Sequence, residues 1–170
     1  MRDAEPGDEY GIARVHVDSW RAAYAGLVPD DVLAGLSIEG RALGWGRSIR
    51  DGGFGSGWHV RVAERQHEIV GWATTSRGRD QGVGAEWGEL EGIYAHPSAW
   101  GTGAGRALMD DAVSRLRAAG HTHAFLWVLE GNARSIAIYE HFGWTLDGQT
   151  KRDTLAVGLE VTELRMVRAL

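Results

Sequence analysis

An apolar run from Leu90 to Tyr94 passes one proline, Pro97, and enters a stretch with glycine at alternate positions, Gly101, Gly103 and Gly105. An amphipathic segment, Arg106 to Ala119, follows at once. This strand, loop and helix constrain the chain more than any other stretch. Alternate glycines remove side chains where the backbone turns tightly, and they let amide N–H groups approach a ligand closely. At a helix N-terminus those unpaired donors and the helix dipole favour an anion. A phosphate or pyrophosphate cradle is the simplest chemical reading. A glycine-rich turn that binds nothing is the alternative, since such glycine repeats recur widely.

The surrounding chain reads as one soluble domain, residues 1–170, long enough to bury a substantial core. A net charge of -5 and the absence of a basic block argue against nucleic acid. The chain has no cysteine, which removes disulfides, thiolate metal sites and a cysteine nucleophile. No signal-like segment or long apolar run is present, so the expectation is a cytoplasmic protein with no membrane partner. The 25 glycines are dispersed, and the eight tryptophans are expected mainly in the core or in groove walls.

Hydrophobic periodicity orders the rest. A very short strand is expected before Pro6. A helix is expected from Asp8 to Ala25, with Ala13, Val17, Trp20 and Tyr24 on one face. Two more are expected over Asp30 to Leu36 and Ile38 to Ile49, the latter weakened by Gly40, Gly44 and Gly46. Asp51 to Gly57 reads as a turn. Strands are expected over Trp58 to Glu64, Ile69 to Thr75 and Trp87 to Tyr94. The helix from Arg106 should bury Ala107, Leu108, Val113, Leu116 and Ala119. A buried strand, His123 to Leu129, precedes a helix capped by Asn132 that runs to His141 or Phe142. Two last strands are expected near Gly148 to Leu155 and Glu160 to Arg168. Helices interrupting a mixed sheet point to an α/β or α+β layered architecture.

Three stretches together carry a resemblance. They are Leu90-Glu91-Gly92-Ile93-Tyr94-Ala95-His96-Pro97, then Trp100-Gly101-Thr102-Gly103-Ala104-Gly105-Arg106-Ala107-Leu108, then Asn132 to Trp144 with Tyr139 and Phe142-Gly143. In this order the chain resembles the GNAT family of N-acetyltransferases over essentially its whole length. The resemblance implies a mixed, mostly antiparallel seven-stranded sheet, flanked by helices and splayed between central strands 4 and 5, with acetyl-CoA in the split. It implies a pyrophosphate cradle from Gly101, Thr102, Gly103, Ala104 and Gly105. Ile93 and Tyr94 would pair with the pantetheine arm, and Asn132 would bond that arm from the other side. Tyr139 would stand near the thioester sulfur. The family loop usually opens with glutamine or arginine and often carries a basic third residue. Here those positions are Trp100 and Thr102, leaving Arg106 as the nearest cation. Family members are often dimers, so a homodimer stays open.

Acetyl transfer to an amine requires the amine to lose a proton and the departing thiolate to be stabilised. Tyr139 suits the second task as a phenol donor; the other reading is an aromatic packed on Trp144. For the base, Glu89 and Glu91 are the candidates, because alternation places both on one strand face together with Ile93. A solvated pair of carboxylates is the competing reading. His16, His96 and His141 read as surface or packing histidines. His121 and His123 lack a third ligand, so no metal site is expected. Trp20 and Tyr24 are candidates for the acceptor pocket, or else core aromatics. The acceptor site is expected between Trp20 and Asp31 and over Lys151 to Leu159. Asp30, Asp31 and Glu91 near aromatic walls would suit a cationic amine on a small molecule or a peptide. Two rivals remain: a non-catalytic CoA-binding sensor of the same fold, and a dinucleotide-binding oxidoreductase, for which Glu130 would be the ribose-binding acid.

Overall fold

The computed structural model describes residues 1–52, 57–155 and 158–170. Most of the expected Asp51 to Gly57 turn, and the tip of the Lys151 to Leu159 segment, therefore lie outside the described residues. The elements are β1 (Arg2–Asp3), α1 (Glu9–Ala23), α2 (Asp30–Ala34), α3 (Ile38–Asp51), β2 (His59–Arg65), β3 (Glu68–Arg77) and β4 (Trp87–Ala95), then α4 (Ala104–Ala118), β5 (His123–Leu129), α5 (Ala133–His141), β6 (Thr145–Thr154) and β7 (Glu160–Ala169). Seven strands form one sheet in the order β1-β2-β3-β4-β5-β7-β6. Only β4 and β5 pair in parallel; every other neighbour is antiparallel. None of the helices of the described residues is long and apolar enough to cross a membrane.

Apolar stripes explain the layering. α4 buries Leu108, Met109, Ala112, Val113 and Leu116, a helical period that faces the sheet. Ala107 and Ala119, expected inward, are exposed, and Met109 and Ala112 take their places. This core includes Leu90, Leu126, Met166 and Trp144, with Tyr139 of α5 and Phe142, just after that helix, packed against it. The other sheet face is covered by α1 and α3. There Ile12, Val15, Val62, Ile69 and Trp72 form a second core, and Val17, Trp20 and Leu33 a third. α3 persists to Asp51 despite its glycines. Ser37 caps it by accepting from the Gly40 amide at 3.1 Å, and Gly46 lets it lie close against Glu9 of α1.

The sheet opens at its centre. β4 and β5 pair only over Trp87–Glu89 and His123–Phe125. Beyond that point β5 continues with β7, and β4 keeps only β3. A bulge lies on β4: Thr74 pairs with Gly92 and Thr75 with Leu90, so Glu91 is the extra residue. This breaks the two-residue alternation. Leu90 and Ile93 both pack with the α4 core, whereas Tyr94 packs with the α1 cores. The expectation that Ile93 shares a face with Glu89 and Glu91 is therefore corrected. Gly92 fits the bulge, because a Cβ there would stand 3.0 Å from the Trp72 ring.

Candidate active site

The site begins with the loop after β4. A short 3-10 turn, Pro97–Ala99, follows His96, whose ring accepts from the Ser98 amide at 3.2 Å. The opposite ring nitrogen lies 3.2 Å from Asp18 of α1, which ties the loop to that helix. Ser19 of α1 and the Trp100 indole both donate to the Ala95 carbonyl, at 3.0 and 2.8 Å. Thr102 donates its hydroxyl to the Ala99 carbonyl at 2.7 Å. Trp100 and Thr102 therefore brace the loop.

α4 starts at Ala104, two residues before the expected Arg106. Gly103 caps it with φ 91°, and Gly101 has φ 74°. Both lie in the left-handed region that disfavours any Cβ. A Cβ at Gly101, Gly103 or Gly105 would meet no atom within 4 Å, so the glycines face open space. Ala107 is the first helical residue whose amide bonds back, to Gly103. Among the described residues, the amides of Ala104, Gly105 and Arg106 have no backbone acceptor. Three donors, a dipole end and open space together form an anion cradle.

The cradle opens into a cleft of about 400 Å³, formed where β4 and β5 part. Ile93, Tyr94, Trp100, Gly101, Gly103, Gly105, Arg106, Asn132, Tyr139 and Glu91 all reach it. Tyr24 reaches it as well. Thr102 and Ala104 do not line the cleft, and Trp20 is a core residue, 7% exposed, that does not line it either. Asn132 is buried and caps α5, its side-chain oxygen accepting from the Ser135 amide at 3.1 Å. Tyr139 is partly buried, and burial raises its phenol well above the ordinary value, as does neighbouring Tyr94. Tyr24 and Tyr94 share a hydrogen bond of 3.0 Å, and burial raises both. All three phenols keep their protons near neutral pH.

Charge reaches the cradle from α5. The Arg134 guanidinium stacks over the Trp100 ring, 4.0 Å from its centroid, and Arg134 lines the cleft beside Arg106. Sequence reasoning missed Arg134. It stands in the quoted Asn132 to Trp144 stretch, but its approach to a ring 34 positions earlier is a tertiary fact.

The two carboxylates differ. Glu89 is 5% exposed and accepts both Arg79 hydrogen bonds, Nε and Nη2, at 2.9 Å each. It lines neither cavity. Glu91 accepts from the Trp58 indole at 3.1 Å through Oε2. Its Oε1 is buried without a hydrogen bond among the described residues, with Arg79 Nε 3.4 Å away. Glu91 lines the cleft and also a second cavity of about 660 Å³ between α3 and the sheet. His16 lines that second cavity, where its Nδ1 accepts from Trp45 at 3.3 Å. Burial, then the charge of Arg41, pulls the His16 ring down to about 3. Asp30 and Asp31 are exposed and line neither cavity, so they give no acidic wall to the site.

A splayed α/β sheet with an anion cradle at the split defines a class of acyl-CoA-dependent transferase folds. Known proteins agree. The Acetyltransferase (GNAT) family model matches residues 49–144. An uncharacterised N-acetyltransferase of Bacillus subtilis strain 168, YuaI, is 33% identical over 144 residues, 84% of this chain and 78% of that protein. The chain belongs to the GNAT family and is an acetyltransferase. The ribosomal-protein-alanine N-acetyltransferase of Brucella melitensis aligns with a TM-score of 0.70 at 26% identity, over 99% of this chain and 98% of that one. The PaiA N-acetyltransferase of Thermoplasma acidophilum, solved with coenzyme A, shares the fold with a TM-score of 0.73 at 16% identity, over 99% and 97% of the two chains. The mostly antiparallel sheet and this family membership overturn the dinucleotide-binding reading.

Proposed function

We propose that this acetyltransferase moves an acetyl group from acetyl-CoA directly to a primary amine. The observation that carries the reading is the cleft itself, where an anion cradle, a protonated phenol and an under-bonded carboxylate line one space. The residues present fit CoA. The amides of Ala104 to Arg106 would hold the pyrophosphate, with Gly101 and Gly103 setting the turn and Thr102 bracing it. Arg134, seated on Trp100, and Arg106 would supply the positive charge that the loop lacks. Ile93 and Tyr94 lie on the part of β4 freed from β5, so their backbone is available to a pantetheine arm. Asn132 commits its oxygen to the helix cap and keeps its amide protons for the same arm.

Glu91 takes the proton from the amine, directly or through water. The C–N bond then forms as the C–S bond breaks, and Tyr139 gives its proton to the departing thiolate. Glu89 is held by two hydrogen bonds from Arg79 and lines neither cavity, so the base role falls to Glu91. Amine-dependent release of free thiol from acetyl-CoA tests the reading. Thiol release must rise with amine concentration, and product mass must increase by one acetyl group. Release that no amine accelerates, with acetyl-CoA bound, would favour a CoA-binding sensor instead.

A further inference from the structure

The cavity on the α3 side of the sheet has a composition that the cleft does not share. Three indoles line it, from Trp45, Trp58 and Trp72. It also contains Arg41, Arg47 and Arg79 against two acids, Asp51 and Glu91. Arg79 is satisfied by Glu89. Arg41 is not satisfied in that way. Its guanidinium lies over the Trp20 ring at 5.3 Å and has no carboxylate partner among the described residues. Burial works against its charge, and the neighbouring Tyr94 phenol, which keeps its proton, supplies no counter-charge. A half-buried arginine without a counter-charge is costly unless something supplies one. Arg47 is exposed nearby and likewise has no ion pair among the described residues.

The same cavity ends at Glu91, whose buried Oε1 has no hydrogen bond among the described residues. One cavity therefore brings together the Glu91 carboxylate, a guanidinium that wants an anion, and flat apolar walls. We propose that this cavity holds the acceptor, and that the acceptor carries a carboxylate and an apolar, ring-sized body on the same small molecule as its amine. The amine meets Glu91, which also borders the cleft; the carboxylate meets Arg41, with Arg47 at the entrance; the body lies among the indoles. The inference rests on the transferase reading above and narrows it. Of the acids expected to receive a cationic amine, Asp30, Asp31 and Glu91, it keeps only Glu91.

Calorimetry with CoA-loaded protein tests this apart from catalysis. The probes are tryptophan, tryptophan amide and tryptamine, which share ring and amine and differ at the carboxylate. Tryptophan should bind at least tenfold more tightly than either relative, and Arg41→Met should remove that preference while leaving CoA affinity unchanged. Arg41→Lys keeps the charge and should keep part of the preference, which separates charge recognition from a folding defect. Equal binding of the three, tighter binding of tryptamine, or binding of none would overturn the proposal. Acetyl transfer to tryptamine as fast as to tryptophan would overturn it while leaving the transferase reading intact. Tight tryptophan binding without any acetyl transfer would do the reverse.

Discussion

At the scale of single residues, Tyr139 and Glu91 are the groups proposed to carry the chemistry of the cleft. Replacing Tyr139 by phenylalanine should lower kcat by about 10²-fold or more, in the range usual for a lost proton donor, and leave acetyl-CoA affinity unchanged. Steady-state kinetics and a binding titration check both halves. Glu91→Gln should lower kcat/KM to a similar degree. His16 makes a separate prediction about stability. Its folded pKa, about 3, lies below the unfolded value near 6.5. The folded state keeps the ring neutral, so the contribution is whole above about pH 6.5 and declines as pH falls towards 3, by up to about 1.4 kcal/mol per pH unit. Denaturant unfolding across that window, compared with His16→Phe, should show a shallower acid decline in the variant. The two carboxylates show what was readable at this scale. Their shared face followed from alternation, and both do meet Arg79. Their difference did not, because it depends on Arg79 and Trp58, which are far from β4's core in sequence pattern.

At the scale of elements, the loop and the start of α4 were legible because glycine spacing is a backbone signal. Gly101 and Gly103 adopt left-handed φ where the spacing foretold a tight turn. Gly103→Ala should cost about 1–3 kcal/mol of stability through strain at φ 91°, and should weaken acetyl-CoA binding by tilting the amides that follow. Thermal unfolding and calorimetry would report the two effects. The bulge at Glu91 was not legible, since a bulge is a pairing offset between strands and Leu90 to Tyr94 alone reads as a regular strand. It decided the outcome for Ile93, which turns to the α4 core. The charge from α5 was hidden for the same reason. Arg134→Ala should raise the dissociation constant for acetyl-CoA about tenfold, ~1.4 kcal/mol, and should make binding less sensitive to salt.

At the scale of the whole molecule, element order followed from hydrophobic period, as the interior strand His123–Leu129 illustrates: it occupies the expected span. Splaying did not follow from period. It was implied by family resemblance, and the structure accounts for it through β5, which leaves β4 after Phe125 to run its whole length with β7. The cavity proposed for the acceptor was not legible, because it is walled by α3 and β3, which are apart in sequence from the Trp20 to Asp31 segment. The central claim is that the split between β4 and β5 binds acetyl-CoA. Thermal unfolding of the protein titrated with acetyl-CoA, alongside NAD and NADP, tests it most directly. At about a hundred times its dissociation constant, acetyl-CoA should add roughly 2.7 kcal/mol of stability, with no shift from the dinucleotides. Stabilisation by NAD or NADP in its place, or none from acetyl-CoA at millimolar concentration, would contradict the account.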